Sequence, residues 1–67
     1  MNLGKKLKEL RKSYGLTQEK LAEALDISRV NYTRYETDKV RPDYETLVRL
    51  ADFYDVSTDY LLGRKDY

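Results

Sequence analysis

The sequence predicts an all-α fold, a compact domain of five short helices. Apolar residues recur at spacings of three and four in successive segments, and a residue that favours helix caps precedes each segment. No segment has the clean alternation of a β-strand, and the connections are only a few residues long. With 67 residues the chain fits one small domain, which we place at residues 1–63, followed by a short tail at 64–67.

The first two helices are predicted from their apolar faces and the residues that flank them. Residues 2–14 place four side chains on one helix face: Leu3, Leu7, Leu10 and Tyr14. Asn2 is expected to cap the start of this helix, and Gly15 stands where a left-handed C-terminal cap belongs. Thr17 is expected to cap the second helix. The inner face of that helix consists of Leu21, Ala22 and Leu25.

A third helix is predicted to begin after Ser28, its expected cap, and to extend to about residue 36. Its inward positions at helical spacing are Tyr32 and Tyr35, which we assign to the core together with Tyr54. Stacking of these rings on unpaired nucleic-acid bases is the alternative assignment.

Two further helices follow a polar connection that ends in the only proline. Asp43 is expected to cap the fourth helix, and Ser57 the short fifth helix, which ends at Gly63. The apolar stripe of the fourth helix consists of Leu47, Leu50, Ala51 and Tyr54. The fifth helix contributes Leu61 and Leu62.

The composition excludes several functional classes. The chain has no cysteine and no histidine, which removes thiolate ligands, the commonest metal ligand and the commonest general base. We therefore expect neither an enzyme nor a bound metal or other cofactor, and no small-molecule ligand is evident. No run of 18 apolar residues and no signal-peptide pattern occurs, so we expect a cytoplasmic protein with no membrane partner.

The charges are distributed unevenly along the chain. Residues 1–41 carry ten Lys and Arg against six Asp and Glu, a net charge of +4. Residues 42–67 carry three against six, a net charge of −3. A basic front and an acidic back are typical of a molecule whose front meets a polyanion. Ordinary surface charge is the alternative interpretation.

The second and third helices are separated by only about three residues, a spacing that predicts a helix-turn-helix unit. In such a unit the first helix supports the second, whose outer face enters the major groove. The outer face here consists of Arg29, Val30, Thr33 and Arg34. Arginine is the commonest reader of guanine, and aliphatic or threonine methyl groups can contact the thymine methyl. A solvated, charged helix face is the alternative.

Several separated stretches support this hypothesis: "GLTQEKLAEAL" (residues 15–25), "ISR" (27–29), "RYE" (34–36), a basic loop before "RPD" (41–43) and "VSTDYLLG" (56–63). Together, residues 10–63 resemble the Cro/phage-repressor (Xre) family of helix-turn-helix DNA-binding domains. The resemblance implies a lambda-repressor-like domain with its helix-turn-helix at helices 2 and 3.

The resemblance also implies roles for individual residues. Base contacts fall on Arg29, Val30, Thr33 and Arg34, and Thr33 can alternatively reach a phosphate. Contacts to the DNA backbone fall on Gln18, Ser28, Asn31, Thr37, Lys39 and Arg41. For Gln18 the alternative is a solvated helix start, and for Ser28 it is a simple cap. Asn31 is the weakest member of this set, and the loop residues can instead be solvated.

Two further sets are implied by the resemblance. Arg11 and Glu36 match positions that form a structural ion pair, so we exclude them from the DNA contacts. A dimer contact is implied at Val56, Ser57, Thr58 and Leu61, although we expect Leu61 to belong to the core.

Three positions depart from the pattern of the family. Asp26 occupies a turn position where glycine usually adopts a left-handed conformation, which aspartate tolerates at a modest cost. Asp38 replaces a usual Asn-Gly, and we expect its charge to weaken nearby phosphate contacts. Tyr32 replaces an aliphatic residue, so we expect its hydroxyl to find a partner or to emerge at the edge of the helix.

The resulting expectation is a sequence-specific transcriptional regulator that binds double-stranded DNA. We expect a repressor that reads the major groove with helix 3 and docks as a homodimer on a near-palindromic operator. The alternative is a protein–protein interaction module, such as an antitoxin or a regulator that acts through another repressor.

Overall fold

Five α-helices joined by short turns form the part of the chain that the computed structural model describes, residues 2–66. They are α1 (Leu3–Ser13), α2 (Gln18–Ala24), α3 (Arg29–Glu36), α4 (Tyr44–Tyr54) and α5 (Thr58–Leu61). No strand occurs within these residues, and the all-α prediction is confirmed. Met1, the first residue of the predicted domain, and Tyr67, the last of the predicted tail, lie outside the described residues.

Helix α3 lies against both α1 and α2, and α5 packs on α1 and α4. The apolar faces of all five helices meet in one core. Its buried members are Leu3, Leu7, Leu21, Ala22, Leu25, Tyr32, Leu50, Ala51, Tyr54 and Leu61. The predicted inward residues Leu10, Tyr35 and Leu47 are only partly buried at its margin. Because α1 and α2 cover the inner side of α3, the opposite side of this helix faces solvent.

The predicted caps of the last four helices are confirmed. The side-chain oxygens of Thr17, Ser28, Asp43 and Ser57 each accept a hydrogen bond from the backbone N–H three residues later. Asn2 is the exception, because its side chain makes no capping hydrogen bond. Asp38 takes this role from 34 residues away: its Oδ1 atom accepts from the backbone N–H of Gly4 at 3.0 Å. The expectation that Asn2 caps α1 is therefore wrong.

All five helices end in the same hydrogen-bonded motif. A residue with positive φ follows each helix, and the next backbone N–H donates to a carbonyl five residues earlier at 2.8–3.1 Å. These residues are Gly15, Asp26, Asp38, Asp55 and Gly63. The left-handed conformation expected at Asp26 is confirmed, with φ of 55°. Asp55 adopts the same conformation, which we did not predict.

Replacing these aspartates by glycine separates backbone strain from side-chain contacts. An L-residue in the left-handed region costs roughly 1–2 kcal/mol, part of which is offset because glycine gains entropy in the unfolded chain. We expect Asp26→Gly to raise the free energy of unfolding by up to about 1 kcal/mol. Asp38→Gly relieves the same strain but removes the cap of α1, typically worth about 1 kcal/mol, and should give no gain. Urea denaturation of both variants measures the difference, and an equal gain would contradict the capping role of Asp38.

The end of the described chain folds back on α5. The backbone N–H of Arg64 donates to the carbonyl of Asp59 at 2.8 Å, and the two side chains approach to 3.7 Å. The domain boundary at residue 63 stays a prediction. None of the helices described is both long and apolar enough to cross a membrane.

Candidate nucleic-acid interface

An open groove runs along the outer face of α3 and continues to the start of α2 and the loop after α3. Seven residues line it: Gln18, Arg29, Val30, Thr33, Arg34, Thr37 and Lys39. All of them belong to the predicted DNA-contact set. The side chain of Val30 is 59% exposed there, although it is apolar. The structure thus brings seven of the ten predicted contact residues to one surface.

The other three predicted contact residues do not line this groove. Ser28 and Asn31 are exposed at the start of α3, and the Ser28 hydroxyl accepts the backbone N–H of Asn31 at 3.1 Å. Since the Ser28 oxygen is the acceptor in that bond, its own hydrogen remains available to another partner. Arg41 lines two different hollows, which it shares with Leu3.

The groove is positively charged. Its charged members are Arg29, Arg34 and Lys39, and no acidic residue is among those that line it. Within residues 2–66, neither arginine side chain forms a hydrogen bond or an ion pair, so both guanidinium groups keep their full hydrogen-bonding capacity. Asp38, which we expected to weaken phosphate contacts nearby, instead directs its carboxylate to the N-terminus of α1 and lines a different hollow.

One basic residue near this surface was not predicted from the sequence. Lys20 lines a second hollow that adjoins the groove, together with Gln18 and Arg29, which belong to both. Its position two residues after Gln18, in the first turn of α2, was the signal available. Glu19 lines the same hollow, so the net charge there is lower than in the groove.

Gln18 makes two hydrogen bonds within the protein. Its Nε2 atom donates to Glu36 Oε1 at 3.0 Å, and its Oε1 atom accepts from the Thr33 hydroxyl at 2.8 Å. The alternative of a merely solvated helix start is therefore wrong. The amide connects the start of α2 to the middle of α3 and still retains one N–H.

The hydroxyl of Thr37 is also engaged within the protein. It donates to the carbonyl of Thr33 at 3.0 Å, with the carbonyl of Arg34 at 3.3 Å. A threonine has one hydroxyl hydrogen, so Thr37 would have to break this bond to donate to a phosphate.

Arg11 and Glu36 form an ion pair between α1 and the end of α3. Arg11 Nε lies 2.6 Å from Glu36 Oε2, and Arg11 Nη2 lies 3.2 Å from Oε1. Both residues are only 8% exposed, and Arg11 Nη1 also donates to the carbonyl of Leu16 at 2.8 Å. Burial by itself would raise the pKa of Glu36, but the interactions of its carboxylate with polar neighbours, first of all the hydrogen bonds from Arg11, outweigh it and hold that pKa below its ordinary value.

Two tyrosine hydroxyls in the core lack partners. Among the residues described, nothing forms a hydrogen bond with the hydroxyls of Tyr32 and Tyr54, and both atoms are buried. Burial is the main cause that raises the pKa of Tyr54 to about 12, and it also raises that of Tyr32. The expectation that the Tyr32 hydroxyl finds a partner or emerges at the edge is wrong, because the whole residue is enclosed between the helices.

The predicted dimer contact is only partly accessible. Leu61 is fully buried within the single chain, so it belongs to the core and cannot meet a second copy. Val56 packs against the core, and the Ser57 hydroxyl accepts the backbone N–H of Tyr60. Among the residues described, the most exposed of the large apolar side chains lies elsewhere: Tyr44, at the start of α4, is 90% exposed.

A helix pair joined by a sharp turn, with α3 exposing a basic face, defines a helix-turn-helix protein. The helix-turn-helix family model matches residues 7–61. The chain belongs to this family, in the Cro/phage-repressor (Xre) branch that the resemblance indicated.

The proteins similar to this chain include both a transcriptional repressor and a transcriptional activator. The HTH-type transcriptional regulator ImmR of Bacillus subtilis is 50% identical over 66 residues, which are 98% of this chain and 52% of ImmR. The cryptic phage CTXphi transcriptional repressor RstR of Vibrio cholerae is 36% identical over 96% of this chain and 57% of its own length. The HTH-type transcriptional activator BcrR of Enterococcus faecalis is 38% identical over 98% of this chain and 32% of its own length. The chain thus spans about half the length of the first two relatives.

Proposed function

We propose that this chain binds double-stranded DNA in a sequence-specific manner and regulates transcription. The observation that carries the proposal is the groove along α3, where two unpaired arginines flank an exposed valine and no acidic residue is present. Such a face matches the chemistry of a major groove, which offers guanine acceptors and thymine methyl groups between two rows of phosphates. The similarity to transcriptional regulators supports the same function.

The residues of the groove divide into two roles. Arg29 and Arg34 read base edges through paired N–H donors, and Val30 contacts an apolar base edge. Gln18, Lys39 and Ser28 hold the phosphates on either side and so fix the position of α3. The ion pair between Arg11 and Glu36 lies behind α3 and makes no contact with DNA.

We further propose a homodimer that acts as a repressor in the cytoplasm. One α3 of this length reaches only a few base pairs, so two copies are needed to define an operator. In a two-fold complex the two α3 helices lie about 34 Å apart, and nuclease footprinting should protect two half-sites one helical turn apart.

The proposed dimer contact remains at Val56, Ser57 and Thr58, because each of these residues keeps some accessible surface. Sedimentation of the complex gives its stoichiometry.

Removing the two arginines tests the base-reading role. We expect Arg29→Ala and Arg34→Ala each to lose about 1–3 kcal/mol of binding to a duplex selected from random DNA by the wild-type chain. Binding to a scrambled duplex should change much less. Arg64→Ala is the matched control, because it removes the same charge from an arginine outside the groove. Equal losses on both duplexes would contradict base reading by these arginines.

A protein–protein interaction module is the second candidate function, and one observation favours it. Tyr44 and Val48 lie four residues apart on α4 and are both exposed, although they are apolar. Competition by double-stranded DNA distinguishes the two functions. DNA binding predicts that affinity falls steeply with salt, whereas an apolar protein contact is insensitive to it.

A further inference from the structure

The side chain of Gln18 is held in one orientation by two neighbours on α3. Its Nε2 atom faces the carboxylate of Glu36 at 3.0 Å, and its Oε1 atom faces the hydroxyl of Thr33 at 2.8 Å. If the amide were turned over, its oxygen would face the carboxylate oxygen, and two acceptors would oppose each other. The ion pair with Arg11 keeps Glu36 charged and in place. The amide therefore has one stable orientation.

The hydrogens of this cluster determine what each side chain can offer to DNA. The single hydroxyl hydrogen of Thr33 is donated to Gln18, so it is not available to a base. Gln18 uses one of its two amide hydrogens on Glu36 and keeps the other. A phosphate oxygen accepts hydrogen bonds and cannot donate them. The remaining N–H of Gln18 is thus the group in the cluster that suits a phosphate.

We propose that Thr33 is a positioning residue for Gln18 and does not read a base. Its hydroxyl holds the oxygen end of the Gln18 amide, while Glu36 holds the nitrogen end, and together they preorganise the free N–H for a phosphate. Thr33 is half-buried, unlike its neighbours Val30 and Arg34, which are exposed. This inference rests on the proposed DNA-binding function and assigns Thr33 a role other than the base contact implied by the resemblance.

Two substitutions at this position separate the two roles. Thr33→Val keeps the shape and the methyl group but removes the hydroxyl, so the oxygen of Gln18 loses its partner. Thr33→Ser keeps the hydroxyl and removes the methyl group that could contact a thymine. A positioning role makes valine the damaging substitution, whereas a base-reading methyl makes serine the damaging one.

The experiment uses the duplex that the wild-type chain selects from random DNA, together with a scrambled duplex. We expect Thr33→Val to weaken binding to both by roughly 3- to 10-fold, because a lost phosphate contact carries no sequence information. Thr33→Ser should stay within about twofold of the wild type on both. Gln18→Ala should lose a similar factor to Thr33→Val, and combining the two should add less than about twofold, because both remove the same contact.

A second measurement locates the contact on the DNA. Replacing single phosphates of the selected duplex by neutral methylphosphonates should reveal one position whose effect is large in the wild type. That effect should be reduced in Gln18→Ala and in Thr33→Val, and restored in Thr33→Ser. Cooperative thermal unfolding of every variant checks that the fold is kept. Small changes in stability then do not affect the comparison of DNA binding between Thr33→Val and Thr33→Ser, because both variants are folded.

Several outcomes would overturn this assignment. A changed base preference in Thr33→Ser or Thr33→Val would make Thr33 a base reader. Losses that multiply when Thr33→Val and Gln18→Ala are combined would show that the two side chains act independently. In both cases the wild type still binds its selected duplex, so only the role of Thr33 fails. If selection enriches no duplex, the DNA-binding proposal fails and this inference fails with it.

Discussion

Arg11→Met lowers the free energy of unfolding by about 3–5 kcal/mol, because it leaves the carboxylate of Glu36 buried without its counter-charge. The guanidinium makes two hydrogen bonds to Glu36 and a third to the carbonyl of Leu16, and methionine replaces none of them. Methionine replaces the apolar stem of the arginine side chain, so most of the packing of that stem is kept. Urea denaturation measures the change. For a domain of this size, with a small total stability, such a loss leaves a large fraction of the chain unfolded.

Removing both charges at once provides the control. Arg11→Met combined with Glu36→Leu should recover most of the lost stability, since a buried ion pair contributes little more than apolar residues of similar volume. Recovery will be incomplete, because Gln18 and Leu16 each lose a partner. If Glu36→Leu does not recover stability in the Arg11→Met chain, the unpaired carboxylate is not the cause of the loss.

The pH dependence of stability tests the same ion pair. The pKa of Glu36 in the folded chain is below its ordinary value of 4.5, so this group stabilises the fold above that value and ceases to do so as the pH falls through the lowered pKa. Wild-type stability should therefore decrease in acid below about pH 4.5. In the double variant without the pair, this part of the acid sensitivity should be absent.

Much of the fold follows from short-range patterns. Thr17, Ser28 and Asp43 each precede an apolar stripe, and a cap needs only a backbone N–H three residues away. The left-handed turn at Asp26 is likewise local, because the end of α2 must satisfy its last carbonyls within a few residues. Such features depend on a few consecutive residues, and the sequence displays them directly.

Contacts between distant segments were less predictable. Asp38 caps α1 from 34 residues away, and only the packing of α1 on α3 brings the two together. For the same reason the family resemblance predicted a phosphate contact for Gln18, whereas its bonds to Glu36 and Thr33 could not be predicted. The role of Leu61 was also not predictable from sequence spacing, because that spacing fits both a core residue and an interface residue. Only the position of α5 in the structure decides between them.

Gly4 lies where the backbone of α1 closely approaches the end of α3, and no sequence pattern indicated this contact. A Cβ atom at this position would lie 2.3 Å from the backbone oxygen of Glu36 and 2.8 Å from Asp38 Oδ2. The first of these neighbours is backbone and cannot rotate away. The absence of a side chain therefore allows the amide of Gly4 to reach Asp38 while α1 packs on α3.

Gly4→Ala should lower the free energy of unfolding by about 2–3 kcal/mol, because α1 must move away from α3 to admit the methyl group. The sign of the change in stability is informative. In a helix position without a clash, alanine is more favourable than glycine by about 0.8–1.0 kcal/mol, so without the clash this substitution would stabilise the chain. Lys5→Ala is the matched control, since Lys5 is the next residue of α1 and is exposed, and its effect should stay within about 0.5 kcal/mol. If urea denaturation shows that Gly4→Ala is more stable than the wild type, the backbone oxygen of Glu36 does not approach Gly4 closely enough to clash with a methyl group.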